Sequence, residues 1–223
     1  MTARTSYPVS VIIPSLNEEA RIGAAIASAL AAGAEEVIVC DGGSSDRTLA
    51  VAEAHGGRVM ACSPPRGRQL NEGAKAATGE YLIFLHADTT LPEQAGEAVT
   101  NSGADCGGFR LAFTEPALKL RIAAMMINLR TFFTRCPWGD QAQFIRRDRF
   151  LAMGGYREIA IMEDYEFARR MRRHSVILPQ HVITSGRRFL EKGVWKTALI
   201  NWQVVLRFRR GADPEELAKR YRS

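Results

Sequence analysis

The sequence predicts an α/β fold: a doubly wound, mostly parallel sheet flanked by helices, with a smaller irregular region and amphipathic C-terminal helices after it. Three observations predict it. Apolar runs at 9–13, 36–40, 58–62 and 81–85 alternate with helical patterns over short links. Three of these runs end in polar residues, which in a parallel sheet gathers those groups on one edge. The 223 residues are 46% hydrophobic and 24% charged, enough apolar content for one sizeable core.

Each element has its own signal. Residues 9–13 read as a buried strand closed by Pro14, and 18–32 as a helix with Ile22, Ala25, Ile26, Ala29 and Leu30 on one face and Gly33 as its stop. Residues 36–40 form the second strand, ending at Asp41-Gly42-Gly43, and Ser45 or Asp46 caps a helix that runs to Ala54. A third strand at 58–62 meets the stiff turn Ser63-Pro64-Pro65, a helix covers 68–77, and the Tyr81 to Leu85 run is the fourth strand.

The second half is less regular. Strands are expected at 107–113 and 142–145, helices at 118–133 and 163–173, and two short strands at 176–178 and 182–184 around Pro179. An apolar face of Val194, Ala198, Leu199, Trp202, Val205 and Leu206 marks a helix over 191–210, and Pro214 starts a last one. No linker divides the chain. It reads as one domain over 1–223, with a regular first half (1–104), a less regular second half (105–190) and a basic amphipathic tail (191–223).

Residues 1–186 hold 20 basic and 20 acidic side chains, so the net charge of +6 comes from residues 187–223, with 10 basic and 4 acidic. Such an end suits an anionic lipid surface or a phosphorylated substrate. Nucleic acid is not expected, because neither an aromatic-basic RNA motif nor zinc-ligand spacing accompanies it. Cys40, Cys62, Cys106 and Cys136 lack CxxC spacing and read as reduced thiols. With neither a signal-peptide pattern nor a membrane-length apolar run, the expected location is cytoplasmic, with peripheral contact at the inner face of the membrane as an alternative for the tail.

The chemistry gathers at three strand ends: Pro14-Ser15-Leu16-Asn17-Glu18-Glu19, Asp41-Gly42-Gly43-Ser44-Ser45-Asp46 and His86-Ala87-Asp88. A lone carboxylate such as Asp88, emerging from a buried strand, is a natural ligand for a hard divalent cation, Mn2+ or Mg2+, that carries phosphates. Capping alone explains any single loop of this kind, but not all three together with Arg66 and Arg68 in the remaining loop.

These residues resemble family-2 glycosyltransferases of the GT-A fold, a Rossmann-like architecture. The match runs nearly end to end and is closest to a small bacterial subgroup with a C-terminal Ser-x-Arg-Arg-aromatic segment. Val11-Ile12-Ile13-Pro14 with Asn17 and Glu18 resembles the opening strand, whose following loop holds the nucleotide. Asp41, with Gly42, Gly43, Ser44, Asp46 and Thr48, resembles the motif whose leading carboxylate contacts the base. His86-Ala87-Asp88 stands at the metal-binding DXD position, and Glu163-Asp164 resembles the acidic pair near the acceptor, where the aspartate is the general base.

The resemblance implies a metal-dependent, inverting transfer of a sugar from a nucleoside-diphosphate sugar to a hydroxyl acceptor, a lipid-linked one among the alternatives. Asp88 is the expected metal ligand. Arg68, Arg187 and Arg188 are candidates for phosphate charge. Asp164 is the expected base, with Asp140 of Trp138-Gly139-Asp140-Gln141 as the alternative. His86 departs from the usual aspartate, and both a ribose contact and a metal contact stay open. A nucleotidyltransferase and a non-catalytic nucleotide-sugar-binding relative are the competing readings. A nicotinamide-cofactor oxidoreductase and a P-loop protein lack their glycine signatures.

Overall fold

The computed structural model describes residues 7–222. Its strands are β1 (Val9–Ser15), β2 (Glu36–Asp41), β3 (Arg58–Ala61), β4 (Tyr81–Phe84), β5 (Thr89–Thr90), β6 (Cys106–Phe113), β7 (Gln143–Arg146) and β8 (Ser175–Thr184). Its helices are α1 (Ile22–Ala31), α2 (Thr48–Ala54), α3 (Arg66–Ala76), α4 (Ala95–Asn101), α5 (Leu118–Thr134), α6 (Arg147–Ala152), α7 (Glu163–Met171), α8 (Arg187–Lys192), α9 (Val194–Arg209) and α10 (Pro214–Arg222).

All eight strands form one sheet in the order β3-β2-β1-β4-β7-β6-β8-β5. The first four are parallel to one another, as the alternating pattern predicts, and β7 is antiparallel to β4. The strand period of two divides the core. Val11, Ile13, Val37 and Val39 face α1, α2 and α4, whereas Ile12, Ile38 and Cys40 face α3 and α7. Burial on both sides explains why these strands read as unbroken apolar runs.

Three expectations need correction. The two short strands around Pro179 are one strand, β8. Its pairing with β6 slips between Phe109↔Leu178 and Arg110↔His181, so Pro179 and Gln180 sit in a bulge, where a missing N–H is tolerated. The helix expected over 191–210 begins only at Val194, because Gly193 at φ 85° separates α9 from the unexpected α8. Helix α3 starts at Arg66, which draws both loop arginines into its first turn. Helices α4 and α6 and the two-residue β5 are further elements that the periodicity does not mark.

The tail packs partly as core. Val194, Thr197 and Val204 of α9 are buried, as are Leu217 and Ala218 of α10, while Trp195 and Trp202 stay largely exposed. All four cysteines are buried and unpaired. Among the described residues no helix is long and apolar enough to cross a membrane.

Candidate active site

The strand order creates the site. From β1 the chain moves outward through β2 to β3, then returns to place β4 on the other side of β1. At that reversal the loops after β1 and β4 diverge and leave a crevice at the carboxyl ends of the strands. A cavity of about 730 Å3 lies there, and its walls include Pro14, Ser15, Glu18, Arg66, His86 and Asp88. A second cavity of about 290 Å3 adjoins it and is lined by Trp138, Asp140, Asp164, Arg188 and Asn201. Arg66, His86, Asp88, Ile161 and Tyr221 border both.

The loops after β1 and β2 are stitched to each other. Asn17 adopts φ 55°, a conformation asparagine tolerates, and its N–H donates to Ser44 Oγ at 2.8 Å. Ser45 N–H returns a bond to Asn17 Oδ1 at 2.9 Å, and Glu18 N–H donates to Thr48 Oγ1 at 2.8 Å. Beneath them Asp41 is buried and accepts from Gly43 N–H at 2.9 Å, Ser44 N–H at 2.8 Å and Ser15 Oγ at 3.1 Å. Burial works against its charge, but the Ser44 hydroxyl and the two N–H groups outweigh it and hold the carboxyl below its usual range. Asn17, Asp41 and Ser44 therefore shape the rim, whereas Ser15 and Glu18 reach the cavity wall.

Asp88 stands at the junction of the two cavities, and Thr89 Oγ1 donates to its Oδ1 at a long 3.4 Å. The described residues hold no group of three or more His, Cys, Asp or Glu side chains set for a metal. A single carboxylate beside an open cavity fits a divalent cation that takes most of its oxygens from a diphosphate. Burial and the nearby Arg66 push the His86 imidazole down to about 4, against the pull of Asp88 and Asp164, so the ring is neutral at pH 7. A neutral ring suits either a metal or a ribose hydroxyl.

Helix α7 brings the acidic pair. Met162, at φ 71°, turns the chain into it. Glu163 is buried and forms an ion pair with Arg66, which fixes that guanidinium at the cavity wall. The Asp164 carboxylate accepts from Gly139 N–H at 2.9 Å and Tyr165 N–H at 2.7 Å. Its backbone carbonyl accepts from Gln143 Nε2 at 2.9 Å, and Gln143 is itself held by the Tyr156 hydroxyl at 2.7 Å. A Cβ on Gly139 would stand 2.5 Å from His86 Nε2 and 3.0 Å from Asp164 Oδ2, so a glycine is needed where these two side chains meet.

Asp140 differs from Asp164. Its buried Oδ1 has no hydrogen-bond partner among the described residues. Burial drives its carboxyl up to about 6; Arg130 opposes that rise, and Asp164 and Asp88 add to it. Arg130 stacks 3.8 Å above the Trp138 ring.

The structure does not bring every expected residue to the cavities. Arg68, two positions after Arg66, points around the helix to Glu158 at 2.8 Å, since residues two apart do not share a helical face. Arg187 is exposed and faces Glu191 at 3.9 Å, whereas Arg188 lines the second cavity and bonds the Tyr221 hydroxyl. Four contributors lie outside the sequence expectations. Ser15 lies on the cavity wall between Pro14 and Leu16, and Gln69 donates to Cys40 O at 2.9 Å and Ser15 O at 3.3 Å, tying two strand ends together. Arg130 and Tyr221 arrive from distant helices, and no local pattern signals them.

Known proteins resemble this chain in sequence and in fold. Residues 10–102 match the model of glycosyl transferase family 2. The glucosyl-3-phosphoglycerate synthase of Mycobacterium tuberculosis is 34% identical over 102 residues, 40% of this chain and 32% of the relative. An uncharacterized glycosyltransferase of Mycobacterium bovis is 36% identical over 84 residues, 37% of this chain and 38% of the relative. The matches thus span about a third of the length of these curated relatives. The Pyrobaculum calidifontis mannosyltransferase PcManGT, solved with GDP-Man and Mn2+, superposes with a TM-score of 0.63 at 16% identity, over 96% of this chain and 67% of that one. The M. tuberculosis synthase solved with Mn2+, UDP and glucosyl-3-phosphoglycerate gives a TM-score of 0.55 at 20% identity, over 93% and 81%. Residues 10–102 thus carry the sequence pattern of glycosyl transferase family 2, and the chain has the GT-A fold.

Proposed function

We propose that the protein transfers a sugar from a nucleoside-diphosphate sugar to a hydroxyl acceptor, with inversion at the anomeric carbon. The observation that carries this reading is the shared wall: Arg66, His86 and Asp88 border both the larger and the smaller cavity. A donor in the first and an acceptor in the second meet at those three side chains. The relatives solved with UDP or GDP-Man and Mn2+ support a nucleotide-sugar donor.

In this reading Asp41, Asn17 and Ser44 set the shape of the nucleotide rim, and Pro14, Ser15 and Glu18 line the floor. Asp88 would hold the divalent cation, which supplies Lewis-acid neutralisation of the leaving diphosphate. Arg66, fixed by Glu163, faces the negative charge that develops on the leaving group, with Arg188 across the second cavity. The neutral His86 donates to or accepts from a donor hydroxyl. Asp164 takes the acceptor's proton as the hydroxyl attacks the face opposite the diphosphate.

Asp140 is the second reading for the base. Its buried, unpartnered Oδ1 and its carboxyl, pushed up to about 6 by burial, suit it to accept a proton.

The test is a thermal-shift panel of nucleoside diphosphates and their sugars, with and without Mn2+. At about a hundredfold excess over Kd the cognate ligand adds about 2.7 kcal/mol, which for a chain of this size raises Tm by roughly 5–10 °C. If no nucleotide raises Tm in the presence of Mn2+, the donor reading is wrong.

A further inference from the structure

We propose that the groove between α5 and α9 holds a hydrocarbon chain on the acceptor, whose hydroxyl end reaches the reaction pocket. The inference rests on the transferase reading and adds the acceptor's chemical class.

The groove encloses about 350 Å3 and is walled by Ile122 and Met126 of α5 and by Trp195, Ala198, Trp202 and Val205 of α9. Water reaches much of this wall: Met126 is 53% exposed, Trp202 61% and Trp195 70%. Apolar side chains standing together in this way mark a binding surface more than a solvated face.

The ends of the groove differ. At its inner end it meets Trp138, Asp140 and Asn201, and these same residues line the cavity that contains Asp164 and Asp88. Arg130, stacked on Trp138, joins the polar groups there. Polarity therefore rises along the groove from open hydrocarbon to carboxylates at the reacting end. A molecule with a polar hydroxyl head and an alkyl tail matches that gradient in one orientation only. The unbranched Met126 lets the wall adapt to the tail. Continuity with the reaction pocket favours an acceptor over a second copy of the chain, which would have no use for the polar inner end.

The groove carries its own reporter. The chain has three tryptophans, and Trp138, Trp195 and Trp202 all line it. Intrinsic fluorescence of the full chain, without nucleotide, is titrated with n-alkyl β-glucosides from hexyl to decyl below their micellar concentrations. The expected Kd falls about fourfold for each added methylene, the factor that corresponds to burying one CH2 group. Ala198→Phe, which fills the groove from an exposed position, and Met126→Glu each flatten that series while circular dichroism and Tm hold. Asn201→Leu, at the inner mouth, weakens every glucoside by a constant factor of about five and keeps the slope, because it touches the head and not the tail.

A Kd independent of chain length overturns the proposal. So does a signal that appears only with phosphatidylglycerol vesicles, which makes the face a membrane-docking surface, or one that follows protein concentration with a dimer in light scattering. Unchanged head-group affinity in Asn201→Leu also overturns it, since the head would then lie outside the pocket. The outcomes are separable from the donor reading: a flat alkyl series leaves nucleotide shifts intact, and absent nucleotide shifts leave the alkyl series intact.

Discussion

Arg66 and Glu163 form an ion pair across 97 positions of chain, joining the first turn of α3 to the first residue of α7. The carboxylate is 2% exposed and the guanidinium 41%, so the pair presents one charge to the cavity and buries the other. The contact ties α3 to α7 at the cavity wall, beside the apolar core that Leu70 and Ala74 share with Phe167 and Ala168.

Breaking that pair should be felt twice. Glu163→Gln leaves the guanidinium without its charge partner and is expected to cost about 1–3 kcal/mol in urea unfolding. It is also expected to raise the donor KM more than it lowers kcat, because Arg66 is no longer fixed at the wall. A wild-type donor KM in a folded variant would remove Arg66 from the donor site.

Asp88→Asn keeps the shape of the junction and removes the charge. The Mn2+-dependent part of the nucleotide's thermal shift is expected to vanish, while the smaller metal-free part persists. Isothermal titration with Mn2+ and nucleoside diphosphate checks it, and wild-type metal dependence would show that Asp88 is not the ligand.

Gly139→Ala places a methyl carbon 2.5 Å from His86 Nε2 and 3.0 Å from Asp164 Oδ2. Something must shift, and an ångström-scale displacement of a reacting group costs about a hundredfold in kcat. Stability should fall by only about 1–3 kcal/mol, since one methyl is accommodated locally. Steady-state kinetics alongside thermal melts separates the two effects.

The two candidate bases differ in pH behaviour. If Asp140 is the base, the acid limb of kcat/KM lies near 6, and Asp140→Asn abolishes it. If Asp164 is the base, Asp164→Asn removes transfer while nucleotide binding persists, and Asp140→Asn retains most activity. The metal-free fold offers an independent check. A carboxyl raised from 3.8 to about 6 binds its proton more tightly in the folded chain, so its contribution to stability is full below about 4 and is lost as pH rises through 6. The stability of Asp140→Asn relative to the parent should therefore grow by about 1–3 kcal/mol between pH 4 and pH 7.

The first half of the chain was legible because its signals are local. Strands buried on both faces leave unbroken apolar runs, and parallel strands put their loops on one edge, so Pro14, Glu18, His86 and Asp88 could be named together. The second half was harder because its contacts are long-range. Whether Arg66 or Arg68 faces the cavity depends on where α3 begins, and the stiff Pro64-Pro65 turn hid that start. Tyr221 reaches the cleft only because α10 folds back onto α9 and Arg188, an arrangement that the apolar pattern of 191–210 does not encode. Asp140 could be named from its turn, but its raised carboxyl depends on burial and on charges from other elements.

The sheet ends in short strands on both sides: β5 offers two residues, Thr89 and Thr90, and β3 offers four. Edges this brief give an incoming strand little backbone to pair with. Beyond β5, residues 175–182 of β8 have no strand partner on that side among the described residues, and the bulge at Pro179 and Gln180 denies an incoming strand a regular ladder there.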